Sequence, residues 1–460
     1  MSDSLRHPWI VVSILSAALA AWMGLGTLHD FQHADSLLTV LISTQKWTPF
    51  FWGQDRFGML VPLLAMPIRH PLANMLAQGW IMTVAALLAP FVLARFLTER
   101  TGVWMAVGAC TNTLFLLVTI PAVQFDWLVT QPYAISISLG FAGLVIADRE
   151  PPGWIRTLGA FVLLLLACWV NIGSVVMLAI GAVLKGSRPV RLLALQAVAA
   201  SLASLAARYL ASSHTITALA PPGKWLNGWW QLGAGTSGVI SHPWVAIGVA
   251  LGAIAAMAWL WRSDALPSQR TAIALLAMGV GTWIVLGTSL WVGMNLYSFR
   301  YMYPTLMIAG TGVAIVFAAP LSRTRALSIA SLCAMTVTTV ASFGVPSLAR
   351  VDRGLDDRFG RQSGAIVHAG ATVIAGDYWR VWPAVFHANL SLARAHTRAQ
   401  VFGLAFRSEE TDAMWKAGAS RVRIAGWPDD RSIAMVAAEH GITITPLGHE
   451  GEIDLYTGRW

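Results

Sequence analysis

The chain has 460 residues, of which 56% are hydrophobic and only 12% charged, and its mean hydropathy is +0.62. A soluble globular chain is roughly a quarter charged, so the composition excludes that class and points to a polytopic membrane protein. The net charge of +9 comes without any dense basic run, which argues against nucleic-acid binding.

Taken in order, the apolar runs predict about eleven membrane segments, because a bilayer core takes ~20 apolar residues per helix. They lie near 9–28, 72–97, 102–121, 131–147, 155–170, 173–184, 191–211, 243–261, 271–292, 301–319 and 326–345. The first run follows Arg6 and His7, and "AAWMGLGTLHD" is a poor small-residue cleavage site, so this run reads as an anchor. The loops "RFLTERTG", "ADREPPGWIR", "KGSRPVR", "WRSDALPSQR" and "LSRTRA" are short, basic and on one side of this count. The positive-inside rule makes that side cytoplasmic, together with the N-terminus. The segment 29–70, the loop near Gln124, the loop 212–242 and everything after Val345 then lie outside. Between Trp154 and Lys185 there is room for a helical hairpin with its turn at "WVNIGS", partway through the bilayer, but not for two full crossings; the alternative is one long tilted helix plus a loop.

From Pro346 the composition turns soluble. "ATVIAGDYW", "QVFGLAF", "ASRVRIAG" and "GITITPLG" read as strands, with "AVFHANLSLARA", "EETDAMWKAG" and "DRSIAMVAAEHG" as helices between them. That alternation predicts a membrane domain over 1–345 and a small α/β domain with a mainly parallel sheet over 346–460. The three cysteines, Cys110, Cys168 and Cys333, sit far apart inside apolar runs and read as packing residues.

The segment "HADSLLTVLISTQKWTPFFWGQDRFGMLVPLLAMPI", His33 to Ile68, mixes acids, bases and aromatic rings directly after the first span. "SLLTVLIS" could lie along the membrane interface. Trp47, Phe50, Phe51 and Trp52 suit the headgroup level. Pro62 and Pro67 turn the chain back toward the bilayer. Two roles are open for Asp35: capping the helix "SLLTVLIS", or facing a reaction at the bilayer surface.

One span, an outer loop that starts with an acid, an interfacial helix, an aromatic extended piece and then Pro-Leu-Leu before the second span: this order resembles the GT-C class of integral-membrane glycosyltransferases, which use polyprenyl-phosphate-linked sugars. "YSFRYMYPTLMIAG", from Tyr297 to Gly310, is similar to the class's "RY-x-x-P" element at the outer start of a late span. "VQFDWLVTQPYAISISLG" resembles its second acid-bearing loop, and the terminal α/β domain also matches. Many members carry adjacent acids in the first loop, whereas here Ala34 and Ser36 flank Asp35. Asp126 could supply a second oxygen ligand, but there is no clear acidic cluster for a divalent cation, and the cofactor is left open.

The resemblance implies a GT-C-like polytopic helical fold in a cell inner membrane, with the terminal domain extracytoplasmic. It implies sugar transfer from a polyprenyl-phosphate donor to a glycan, lipid or protein acceptor, hexosyl or pentosyl in kind, with inversion. Such transfer needs a carboxylate base for the acceptor hydroxyl and a cation for the departing phosphate, both at the water–lipid boundary. Asp35 is expected as the base and Arg300 as the phosphate partner. Tyr301, Arg56 and Lys46 are further donor-phosphate candidates, and Asp126, Asp55 and Lys224 are secondary or acceptor-site candidates. "PPGKWLNGWWQLG" could line the site or simply anchor the chain. The alternatives are a lipid-linked glycan transporter or flippase, a polysaccharide polymerase or ligase, and a non-catalytic scaffold.

Overall fold

The computed structural model describes residues 7–149, 153–213, 219–236, 266–294, 298–318, 324–417 and 420–460, with scattered positions between 244 and 258. The expected span near 243–261 and parts of the loops "ADREPPGWIR", "WRSDALPSQR" and "LSRTRA" lie outside the described residues.

Up to Phe343 the described residues are mainly helical. In order come α1 (Pro8–Leu25), α2 (Ala34–Thr44), α3 (Leu60–Ala65), α4 (Pro71–Leu97), α5 (Thr101–Val118), α6 (Pro121–Phe125) and α7 (Tyr133–Ala147). These are followed by α8 (Trp154–Val170), α9 (Ser174–Lys185), α10 (Pro189–Leu210), α11 (Trp225–Thr236), α12 (Leu266–Gly287), α13 (Leu290–Met294), α14 (Tyr303–Ala318) and α15 (Thr324–Phe343). Proline opens α1, α4, α6 and α10, at the position where its missing N–H costs no helical bond.

Among the described residues, five helices are long and apolar enough to cross a membrane: α1, α4, α5, α10 and most of α15. Residues Pro121–Thr130 and Tyr133–Ala147 pass the same criterion as a pair bent by 54°. Trp154–Val170, Ser174–Lys185 and Ile273–Gly287 are shorter apolar helices. Their outward faces are apolar: Trp154, Ile155 and Leu158 on α8, and Val190, Val198 and Leu202 on α10, are all exposed. So much apolar surface is stable only against lipid. Inside, α5 packs against α4, α14 and α15. Gly108 permits the α4 contact, since a Cβ there would stand 2.2 Å from the Phe91 ring.

Helices α8 and α9 are joined through the 171–173 turn and run back to one side, each packing mainly against other helices. On that side the Ser187 N–H donates to the Asp148 carboxylate at 2.8 Å. The turn reaches the 45–59 segment, where the Gly58 N–H donates to the Trp169 carbonyl at 3.0 Å.

After α15 come α16 (Leu348–Leu355), α17 (Arg361–His368), β1 (Val373–Ala375), α18 (Tyr378–Arg394), β2 (Phe402–Leu404), α19 (Glu409–Lys416), β3 (Arg421–Gly426), α20 (Ser432–Glu439), β4 (Thr443–Glu450) and β5 (Ile453–Arg459). The sheet order is β2-β1-β3-β5-β4. β2, β1 and β3 are parallel, as the strand–helix alternation predicts, while β5 joins β3 and β4 antiparallel.

Helix α2 departs from the expectation of an interfacial helix. Ala34, Leu38, Leu41 and Ile42 pack with Trp382 and Val385 of α18 in one apolar core. Leu37 and Val40 pack with Met75 of α4 and with Phe386 and Leu390 of α18 in another. A helix lying on a bilayer keeps one face polar; α2 is apolar on two faces and joins the membrane helices to the terminal domain. Each fully buried leucine or isoleucine here contributes about 1.5–3 kcal/mol. The aromatic stretch departs likewise from a headgroup position. Phe50, Phe51 and Trp52 are buried, and Trp52 meets Trp382 edge-on at 5.8 Å.

Candidate active site

Asp35 lies in the first turn of α2, whose N-cap is His33. The His33 N–H donates to Ser36 Oγ at 3.0 Å, so Ser36 takes the backbone-capping role that Asp35 could have filled. The Asp35 carboxylate turns elsewhere. Arg300 Nη1 donates to Asp35 Oδ2 at 3.0 Å, and the Tyr378 hydroxyl donates to Oδ1 at 2.5 Å. Arg407 Nη1 stands 3.8 Å from Oδ1 and donates to the Tyr378 hydroxyl at 3.2 Å. The side chains of Asp35, Arg300 and Arg407 are 14%, 15% and 8% exposed, so this is a nearly buried charge cluster. Burial pushes the Asp35 carboxyl up, but Arg300, Arg407, His33 and the Tyr378 hydroxyl outweigh it and hold the group below its ordinary value.

The cluster borders a cavity of about 830 Å³, open solvent included. Its lining includes the charged side chains of Asp35, Arg300, Arg407 and Arg56. It also includes the apolar side chains of Val61, Met75, Met82, Ile135 and Val170.

The other candidates divide between the cavity and its supports. Arg56 lines the cavity, donates through Nη2 to the Tyr301 hydroxyl at 3.0 Å and lies over the Phe57, Trp291 and Tyr301 rings. Tyr301 is buried and its hydroxyl also accepts from Trp291 Nε1 at 2.6 Å, so it orients Arg56 from behind. Asp126 begins a π-helical turn, a form often found at functional sites. Its carboxylate pairs with His33 Nε2 at 3.1 Å and accepts from the Tyr303 hydroxyl at 3.3 Å. His33 precedes Asp35 by two residues and Tyr303 follows Arg300 by three, so Asp126 ties together the two segments that carry the ion pair. The same turn puts Val129 and Thr130 into the cavity wall.

Asp55 is buried and does not line the cavity. Lys46 points to the terminal domain, donating to the Glu410 carbonyl at 2.6 Å. Lys224 sits exposed in the short turn Pro222–Lys224. Helix α11, which follows it, packs beside the Ser298–Met302 turn that carries Arg300, without lining the cavity. Among the described residues, no group of three or more His, Cys, Asp or Glu side chains could hold a metal ion.

Arg407 is not singled out by the sequence, whereas Tyr378 lies in "GDYWRVWP" (376–383), a stretch whose place after the first strand marks it for binding groups without naming the residue. Tyr378 follows β1, and Arg407 follows β2. Both stand where parallel strands end, the place where such sheets gather binding groups. That rule flags the two loops but not their target, which lies at the start of the chain.

The membrane helices, the buried linking helix α2 and the terminal α/β layer together form a fold that solved structures share. The chain is similar to ArnT from Cupriavidus metallidurans bound to undecaprenyl phosphate, with a TM-score of 0.53 over 98% of each chain at 10% identity. It is also similar to the apo state of that protein, with a TM-score of 0.50 over 99% of this chain and 98% of the other, again at 10% identity. At this identity the likeness is one of fold. No protein-family model and no curated protein sequence matches the chain.

Proposed function

We propose that the protein is an inverting glycosyltransferase that moves a sugar from a polyprenyl-phosphate donor to a cell-envelope acceptor on the outer face of the inner membrane. One observation carries this reading: a single cavity is lined by a carboxylate, three guanidinium groups and several apolar side chains. The apolar side chains suit the start of a lipid tail, and the guanidinium groups suit a phosphate. The acceptor hydroxyl attacks the anomeric carbon and gives its proton to Asp35. The bond from that carbon to the phosphate oxygen breaks, and the polyprenyl phosphate leaves as an anion beside Arg300. One displacement inverts the anomeric centre. The likeness in fold to a protein bound to undecaprenyl phosphate supports a donor of this class.

The test is transfer from a polyprenyl-phosphate sugar by purified protein in lipid, alongside mass spectrometry of envelope glycans with and without the gene. An unchanged glycan profile together with no transfer would sink the reading. A transporter would instead move the intact lipid-linked glycan across the vesicle without breaking the sugar–phosphate bond.

The sidedness has its own test. The domain 346–460 is placed outside and the N-terminus inside, from the basic loops. Reporter fusions after Arg100 and Arg350 are expected to give opposite sides. Matching sides would end this topology and with it the outer-face placement of the site.

A further inference from the structure

Arg407 reaches the cavity from a different domain than Asp35 and Arg300, and it sits in a turn built to hold it there. Its backbone takes φ +77°, a conformation that non-glycine residues rarely adopt. The turn is pinned on both sides. Ser408 Oγ pairs with His440 Nε2 at 3.2 Å, and His440 Nδ1 pairs with Asp412 at 2.5 Å. Across the domain junction, Lys46 Nζ donates to the Glu410 carbonyl at 2.6 Å and Gln45 Nε2 to the Val401 carbonyl at 2.9 Å. Gly53, at φ +66°, leaves the room that the Arg407 stem uses: a Cβ there would stand 2.9 Å from Arg407 Cγ. The guanidinium lies over the Phe51, Tyr378 and Phe406 rings at 5.0–5.1 Å.

This side chain is 8% exposed and lines the cavity, yet its Nε has no partner among the described residues. Arg300 Nε is in the same position. Two buried guanidinium groups thus face one carboxylate and keep spare donors. A buried donor without an acceptor is unfavourable, and a phosphate group brings oxygens in the geometry an arginine fork matches.

We propose that Arg407 is a catalytic residue supplied by the terminal domain: it binds the donor phosphate together with Arg300, and in doing so both arginines loosen their hold on Asp35. The inference rests on the glycosyltransferase reading above. Without donor, the Asp35 carboxylate is occupied by Arg300, Tyr378 and Arg407 and is a poor acceptor for a proton. When the lipid phosphate takes the two forks, the carboxylate is released toward the acceptor hydroxyl. Donor arrival and base release are then one event, and the terminal domain has to be docked for either to occur.

The test titrates undecaprenyl phosphate, with undecaprenol and inorganic phosphate as control ligands, against purified full-length protein in lipid. The variants are Arg407→Gly, Arg407→Gln and Arg407→Lys. Glycine adopts φ +77° freely, so Arg407→Gly removes the guanidinium while keeping the turn, and its thermal midpoint is expected to match or exceed that of the wild type. Both Arg407→Gly and Arg407→Gln are expected to weaken undecaprenyl phosphate binding by on the order of tenfold or more, the worth of one charge-assisted hydrogen bond. Arg407→Lys is expected to fall between them and the wild type. Undecaprenol binding should not change, which places the loss at the phosphate. Wild-type binding of undecaprenyl phosphate with an Arg407→Gly affinity within twofold would overturn the role of Arg407 and leave the glycosyltransferase reading standing. Wild-type protein that binds undecaprenyl phosphate no better than undecaprenol, or no better than inorganic phosphate, would overturn both.

Discussion

Asp35→Asn is expected to lower turnover by about 10²–10⁴-fold, the usual contribution of a positioned base, which corresponds to about 3–5 kcal/mol of barrier. The substitution keeps the size of the side chain. Its remaining oxygen can still accept from Arg300 or from the Tyr378 hydroxyl, the two donors that hold the carboxylate now. What it cannot do is take the acceptor proton. Donor binding should therefore persist while transfer fails, and a thermal melt close to wild type would show that the cluster still folds. The pH profile supplies a second readout. Burial raises the Asp35 carboxyl, but the two arginines, His33 and Tyr378 lower it further, to below the ordinary 3.8. A base that must be ionised then stays competent as pH falls through the ordinary carboxyl range. In the free enzyme kcat/KM is expected to stay level above that value and to bend down only below it. Near-wild-type turnover in well-folded Asp35→Asn would remove Asp35 from the mechanism and turn attention to Asp126.

Arg300→Ala is expected to cost about 10²–10³-fold in kcat, the range seen when one preorganised donor is taken from a developing oxyanion, or about 2.7–4 kcal/mol. Two effects combine. The departing phosphate loses its fork, and Asp35 keeps Arg407 as its nearby guanidinium partner among the described residues. Arg300→Lys restores the charge but not the paired, planar donors, so its loss should be clearly smaller than that of the alanine variant. The measurement is single-turnover transfer at saturating donor, which separates the bond-breaking step from binding. Near-wild-type turnover of Arg300→Ala would remove Arg300 from the phosphate role, which would pass to Arg56 or Arg407.

Much of this protein is written in local pattern. Apolar runs of bilayer length mark α1, α4, α5, α10 and α15 because lipid selects for continuous hydrophobicity, a property each helix carries by itself. The parallel strands β1, β2 and β3 announce themselves as short apolar runs between amphipathic helices. Asp35 and Arg300 were legible as an acid and an arginine at span ends, with chemistry suited to one step. Their 3.0 Å contact, across 265 residues of sequence, was not.

What needed the tertiary structure is what depends on distant partners. "SLLTVLIS" is equally apolar whether it lies on lipid or inside protein; only the facing surfaces of α4 and α18 decide that α2 is buried on two sides. Lys46 reads in sequence as a donor-phosphate candidate, and folding turns it to the Glu410 carbonyl. Asp126 reads as a second acid, and folding makes it the tie between His33 and Tyr303. Tyr378 reaches Asp35 from 343 residues away, and Arg407 does so from a turn with positive φ that composition and periodicity do not encode. Hydrophobic length is a sum over neighbouring residues, so the sequence determined it. The site is a meeting of side chains from separate domains, and only the packing that docks those domains decided which charges share a cavity.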